Sequence, residues 1–240
     1  MSPSSKRVNP MDTAVIKDSA DARKTFRFTV NGIEYKSSDK EIDTREILNI
    51  SNHRPADEHQ LIRIADRRTF ALDLERKTDL SEKGDEAFRA FHSDRAFRFT
   101  VDGRGFDWGI NAIEEAELRT ICEIGPDEVF KLEHEDMPDE IVDDGTKIDF
   151  AEKGTERLRI VRRPDVTVTV NTKPVVLARG WHKGRDIKVA AIAQGVNIKL
   201  DFVLDMEPVA GGDPKAIGDN DPIFIRGGEV FAAVDHHEDS

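Results

Sequence analysis

The pentapeptide FRFTV occurs twice in this chain, as Phe26-Arg27-Phe28-Thr29-Val30 and as Phe97-Arg98-Phe99-Thr100-Val101, 71 residues apart (97 − 26). Glu82-Lys83-Gly84 returns as Glu152-Lys153-Gly154, 70 residues apart (152 − 82). Two identities in the same order at one period define an internal repeat. A third copy keeps the alternation without the letters, as Val166-Thr167-Val168-Thr169-Val170, 69 residues further on (166 − 97). Apolar residues alternating with polar ones give a strand with one buried face.

Outward from these strands the three copies read in the same sense. Asn31-Gly32 follows the first and Asp102-Gly103 the second, dipeptides suited to a two-residue hairpin turn with positive φ. The third has Asn171-Thr172, a weaker hairpin signal. Second strands follow at Ile33–Tyr35, Gly105–Trp108 and Pro174–Leu177. Next comes an amphipathic helix: Thr44 caps a segment carrying Ile47, Leu48 and Ile50, and the later copies carry Leu118, Ile121, Cys122 and Ile124, then Ile187, Val189, Ala190, Ala191 and Ile192. Gly125 and Gly195 stop the second and third helices. Third strands are expected at His59–Ile64, Val129–His134 and Val196–Leu204. In the last strands Gly84, Gly154 and Gly227 share one position, and Phe88, Leu158 and Phe231 another.

Hairpin, helix, strand, loop, strand is the order of a mixed sheet crossed by one helix, the β-grasp arrangement. The expected fold class is therefore α+β, with three tandem ubiquitin-like β-grasp domains after a disordered N-terminal leader. The divisions are 1–24 (leader, polar and rich in Ser, Asp and Lys), 25–92, 95–162, 165–234 and a tail at 235–240. The joints His92-Ser93-Asp94 and Arg162-Arg163-Pro164 are short, so neighbouring domains should stand close.

Composition agrees with small domains. Hydrophobic residues are 38% and charged residues 35%, a polar balance expected where surface is large relative to core. The formal net charge of −12 disfavours nucleic acid, whose phosphates require concentrated Lys and Arg, and anionic membranes too. Cys122 is the single cysteine, so no intrachain disulfide forms and a reducing cytoplasm is the expected location. No apolar run reaches the length of a membrane span.

Phe28-x-Val30-Asn31-Gly32-x-x-Tyr35, opening the first copy, and Glu82-Lys83-Gly84-x-Glu86-x-Phe88, closing it, resemble the bacterial multiubiquitin family, whose ubiquitin-like domains are strung in tandem. The resemblance spans nearly all of 25–234 and is strongest in the first two copies. It implies a protein modifier or its precursor in a conjugation system associated with antiphage defence. The implied partners are a ubiquitin-activating-like enzyme, a ubiquitin-conjugating-like enzyme and a deconjugating or processing peptidase. ATP would be consumed by the activating enzyme, and the modifier itself would carry no cofactor and no catalytic residues.

The tail is where a modifier acts. Arg226-Gly227-Gly228 has the letters of a conjugation tail, but the repeat places Gly227 in the turn before the last strand. A processing or conjugation end is instead expected between Ala232 and Ser240. The small pair Ala232-Ala233, with Val234 and Asp235, precedes an acidic tail without glycine, which departs from the ubiquitin pattern. A non-conjugated scaffold that docks partners is the competing function. For that role Trp181, in the Gly-flanked loop Arg179–Gly184, is the candidate binding residue, either exposed as an anchor or packed within the fold. Trp108 is expected in the core or between domains, and Cys122 as a buried small hydrophobe. Glu114, Glu115 and Glu117 read as a solvated helix face. The acidic stretches 136–144 and 201–221 read as solvated connectors. His236-His237-Glu238-Asp239 lacks a second ligand cluster and is not expected to bind metal.

Overall fold

The computed structural model describes residues 25–81, 86–150, 156–208 and 212–235. The leader, both Glu-Lys-Gly motifs and residues 236–240, Ser240 among them, lie outside the described residues. The chain is mostly strand, 49% against 14% helix. It builds three five-stranded mixed sheets, one per repeat.

Unit 1 runs β1 (Phe26–Val30), β2 (Ile33–Ser37), β3 (Glu41–Asp43), α1 (Thr44–Ile50), β4 (His59–Ala65), β5 (Arg68–Leu72), β6 (Lys77–Asp79) and β7 (Glu86–His92). Unit 2 repeats the series as β8 (Phe97–Val101), β9 (Arg104–Trp108), β10 (Ala112–Glu114), α2 (Glu115–Cys122), β11 (Glu128–Glu133), β12 (Glu140–Ile141), β13 (Lys147–Asp149) and β14 (Glu156–Arg162). Unit 3 is β15 (Asp165–Val170), β16 (Lys173–Ala178), β17 (Gly180–Lys183), α3 (Gly184–Ala193), β18 (Val203–Met206), β19 (Lys215–Ile217), β20 (Pro222–Ile225) and β21 (Val230–Val234). The strand orders β2-β1-β7-β4-β5, β9-β8-β14-β11-β12 and β16-β15-β21-β18-β19 are one topology. The last strand always lies at the centre, parallel to the first. A central strand loses ladder hydrogen bonds on both sides if removed, so no unit can spare its last strand.

One side chain fixes this register in every unit. The first turn residue of each hairpin, Asn31, Asp102 or Asn171, has positive φ, the region that Asn and Asp tolerate best. From there Asn31 Oδ1 accepts from Ala90 N–H (3.0 Å), Asp102 Oδ1 from Ile160 N–H (3.1 Å) and Asn171 Oδ1 from Ala233 N–H (2.7 Å). Each carboxamide or carboxylate thus extends the parallel ladder beyond the end of the first strand.

Several expectations change. Asp43, not Thr44, caps α1: its carboxylate accepts from Glu46 N–H at 2.8 Å, while Thr44 is buried. The stretch 196–202 is not strand. The Lys188 ammonium, 4% exposed, donates to the carbonyls of Leu200 (2.6 Å) and Phe202 (2.9 Å) and folds that segment against α3. The same ammonium is hydrogen-bonded to Asp219 and holds its carboxyl below the usual carboxylate range. The small strand pairs β3–β6, β10–β13 and β17–β20 were not foreseen. The acidic stretches contain strands β12, β18 and β19 rather than simple connectors. Glu115 is no solvated helix residue either. It is 2% exposed and paired to Arg119 at 2.7 Å.

Units 1 and 2 share a core. Directly paired residues lie on one face of a sheet, so Ile62 with Arg89, Ile64 with Ala87, and Ala71 with Ile62 mark the outer face of sheet 1. Unit 2 sits on that face. Ile62 is fully buried in the cluster of Trp108, Ile121 and Phe106, with Ile64, Ala71 and Phe91 packed against it. Phe91 meets Trp108 edge-on, ring centroids 4.9 Å apart. A Cβ on Gly109 would fall 2.2 Å from the Phe91 ring, so only glycine follows Trp108 there. Polar bonds border the contact: Thr69 Oγ1 donates to Asp107 O (2.6 Å), Arg67 Nε to Cys122 O (2.6 Å), and Arg89 pairs with Glu117 (2.7 Å).

Units 2 and 3 meet differently, through charge. Arg163 takes both carboxylate oxygens of Asp144, at 2.8 and 2.9 Å, and donates to Arg179 O at 2.9 Å. Asp143 accepts from Arg179 (2.7 Å) and Arg226 (2.9 Å). The close approach of neighbouring units matches the short joints.

Candidate functional site

The end of unit 3 is built by a turn, a pin and a strand. At the turn, Gly227 and Gly228 have φ of 103° and 87°, a region that side chains rarely adopt. The Glu229 carboxylate accepts from Arg226 N–H (2.7 Å) and Gly227 N–H (2.9 Å), and Gly228 N–H donates to Thr167 O (2.8 Å). Arg226-Gly227-Gly228 is therefore a bonded turn within the fold, not an extended tail. Its counterparts in the repeat, Gly84 and Gly154, lie outside the described residues.

β21 follows. Ala232 stands opposite Asp205, Ala233 opposite Leu204 and Val234 opposite Val203. Ala233 is buried and pinned at both its N–H and its carbonyl by Asn171 (2.7 and 2.8 Å). Val234 is 50% exposed and ends the strand, and Asp235 is the last described residue. Of the candidate processing residues, Ala232 and Ala233 are thus locked in the sheet, and Val234 and Asp235 stand at its rim. Ser240 lies outside the described residues.

The three outer sheet faces differ at matching positions. In unit 1 the face carries Ile62, Ile64 and Phe91 and is covered by unit 2. In unit 2 it carries ion pairs, Lys131 with Asp139 (2.7 Å) and Arg159 with Glu133. In unit 3 it carries Val203, Val230, Ala232 and Val234 around Asp205, with Val176 48% exposed on the flanking strand. Backbone groups of edge strand β16 are blocked at Val176, whose N–H and C=O both bond the Gln194 amide at 2.9 Å. That edge cannot accept another strand at this point.

Trp181 is exposed, at 59%. It stands opposite Phe224 in the β17–β20 pair, ring centroids 5.2 Å apart and nearly perpendicular. The Arg226 guanidinium lies 4.7 Å over the Phe224 ring while its Nε bonds Asp143. An aromatic and cationic patch therefore borders the joint between units 2 and 3. Phe224 was not singled out from sequence, and Arg226 was read only as part of the Arg-Gly-Gly turn. The signal for Phe224 was available in the Ile223-Phe224-Ile225 run of β-formers. Trp108 and Cys122 are buried as expected.

A groove of about 670 Å³ lies between units 1 and 2, lined in part by Arg63, Arg67, Arg89 and Glu117. Arg67 and Arg89 are committed to Cys122 O and Glu117, so these cations stitch the interface. Among the described residues no group of three or more His, Cys, Asp or Glu is arranged to hold a metal ion. Among them also, no helix is long and apolar enough to cross a membrane.

No protein-family model matches the chain, and no curated protein matches it either.

Proposed function

We propose that this chain is a tandem ubiquitin-like β-grasp protein, of α+β class within each unit, that serves as a protein modifier or its precursor in a bacterial ubiquitin-like conjugation system. Separate activating and conjugating enzymes would adenylate and transfer its C-terminal carboxylate, with ATP consumed by the former. A peptidase would trim the acidic end. The setting inferred from the resemblance is cytoplasmic antiphage defence.

The observation that carries this reading is the position of β21, the last strand of unit 3. The central strand β21 ends at the half-exposed Val234, in the middle of the sheet rather than at its edge. The mixed sheets, each with its last strand central and parallel to its first, also support a β-grasp reading. Trimming before Val234 would break ladder pairs to Val203 and Leu204. The processed end therefore falls at or after Val234.

The test incubates the full chain with the enzymes encoded beside it and ATP. Intact mass reports trimming and gels report adducts. Loss of mass confined to residues after Val234, with adducts formed, supports the modifier. An unchanged mass with no adduct sinks it. The exposed Trp181–Phe224 pair favours one second reading, a non-conjugated scaffold that docks partner proteins. Under that reading Trp181→Ala abolishes partner capture and no adduct forms with any enzyme.

A further inference from the structure

His53, His59 and His92 meet at one end of unit 1. Ring centroids are 5.5 Å apart for His53 and His59 and 5.2 Å for His59 and His92, both edge to face. The bonds around His53 assign its tautomer. Asn31 Oδ1 accepts from Ala90 N–H at 3.0 Å, which sets the orientation of that amide. Its Nδ2 then faces Ala90 O at 3.3 Å and His53 Nε2 at 3.4 Å. An amide NH₂ only donates, so His53 Nε2 is an acceptor and carries no proton. The proton sits on Nδ1, which donates to Ser51 Oγ at 2.9 Å. The Ser51 hydroxyl donates onward to Ile47 O at 2.8 Å. A polar relay therefore runs from the end of α1 through neutral His53 to the Asn31 pin and on to β7.

We propose that His53 is a proton-sensitive lock on unit 1: protonation at Nε2 sets its N–H against the Asn31 NH₂ and releases the β1–β2 turn from β7. Two donors cannot share one contact, and Asn31 cannot flip its amide without losing Ala90 N–H. The groups facing His53 are Asn31 from the turn, Ser51 from the helix end and His59 from β4. Beyond them, His92 bonds Glu58 at 3.3 Å, and the Arg54 guanidinium donates to Asn49 O at 3.2 Å. Among the described residues no carboxylate is bonded to His53 to stabilise its charged form.

Burial, and then the charge of His59, holds the His53 pKa below its ordinary value. The sign follows from proton linkage. The unfolded chain takes up the proton more readily, so this contribution is present above a pH of about 6.5 and is lost as pH falls through the lower folded value. The lock is particular to unit 1. Asp102 and Asn171 occupy the same position in units 2 and 3, and neither has a histidine partner among the described residues.

The test is hydrogen exchange on the full chain at pH 7.5 and 5.5, corrected for intrinsic rates. It reads the Asn31 and Ala90 amides of unit 1 against Asn171 and Ala233 of unit 3. Acidification is expected to cut protection in unit 1 by about tenfold and leave unit 3 within about twofold. His53→Gln should abolish the difference. Asn31→Asp should reverse it, because a carboxylate accepts from the protonated ring, and unit 2 carries Asp102 at this position. Equal losses in both units, or an unchanged acid response in His53→Gln, would overturn the lock. If neither variant folds, ring ¹⁵N shifts of the unaltered protein decide: a proton on Nε2 at pH 7.5 contradicts the proposal.

Discussion

Asn171 holds Ala233 by both polar groups of its backbone: Oδ1 accepts from the Ala233 N–H at 2.7 Å, and Nδ2 donates to the Ala233 carbonyl at 2.8 Å. A side chain in the first hairpin of unit 3 thereby secures β21. Asn171→Ala removes both bonds and leaves the Ala233 groups unmet. The expected cost is about 1–3 kcal/mol in unit 3. Denaturant unfolding followed by Trp181 fluorescence measures it, and a loss below a few tenths would contradict the pin.

Thr172, beside it, has φ of 68°, where a β-branched side chain is strained. Units 1 and 2 carry Gly32 and Gly103 there, also at positive φ. Thr172→Gly should stabilise unit 3 by about 1 kcal/mol, read as a rise in its unfolding midpoint. A fall would mean that the hydroxyl bond to Asn171 O outweighs the strain.

Phe91 and Trp108 join the first two units into one core. Phe91→Ala should cost about 3 kcal/mol and shift Trp108 emission to the red as water enters. Because Ile62 would also be laid open, units 1 and 2 should remain linked in use rather than be released singly. Folded, soluble unit 1 produced alone, as stable as within the chain, would contradict the shared core.

At the second joint, Asp144→Asn leaves Arg163 without its two-pronged partner. Bonds between charged groups contribute about 1.5–3 kcal/mol each when shielded, so the joint should loosen while each sheet stays intact. Small-angle scattering should report a larger radius of gyration with unchanged circular dichroism. An unchanged radius would mean that backbone contacts alone, such as Arg179 N–H to Pro164 O, hold unit 3.

Burial pushes the Cys122 thiol up to about 12, against a small opposing effect of Arg67. The thiolate is the reactive species. At pH 8 the folded protein should resist iodoacetamide for hours, and denaturant should unmask one reactive group. Labelling of the native chain at the rate of a free thiol would place Cys122 at the surface.

Much of this architecture was legible because it is local. The period of FRFTV, the Asn-Gly and Asp-Gly turns and the apolar helix stripes depend on residues within a few positions of one another. The strand expected at 196–204 begins only at Val203, for a reason outside its own letters, since the buried Lys188 of a neighbouring helix takes the carbonyls of Leu200 and Phe202. Glu115 reads as solvated by composition; Arg119 is its i,i+4 neighbour on α2, but only the fold brings the Gly145 N–H onto its carboxylate. At the candidate site, the RGG letters were read correctly as a turn from repeat alignment, whereas the two-sided hold of Asn171 on Ala233 spans 62 residues.

The sequence by itself determined that there are three copies and that each begins with a hairpin of alternating pattern, because period and turn chemistry act along the chain. The tertiary structure decided which surfaces remain available. It covered the outer face of unit 1 with Trp108, left that of unit 2 charged, and kept that of unit 3 open beside Val234. Those outcomes depend on which residues of different units come within van der Waals reach, and no spacing within one repeat encodes that distance.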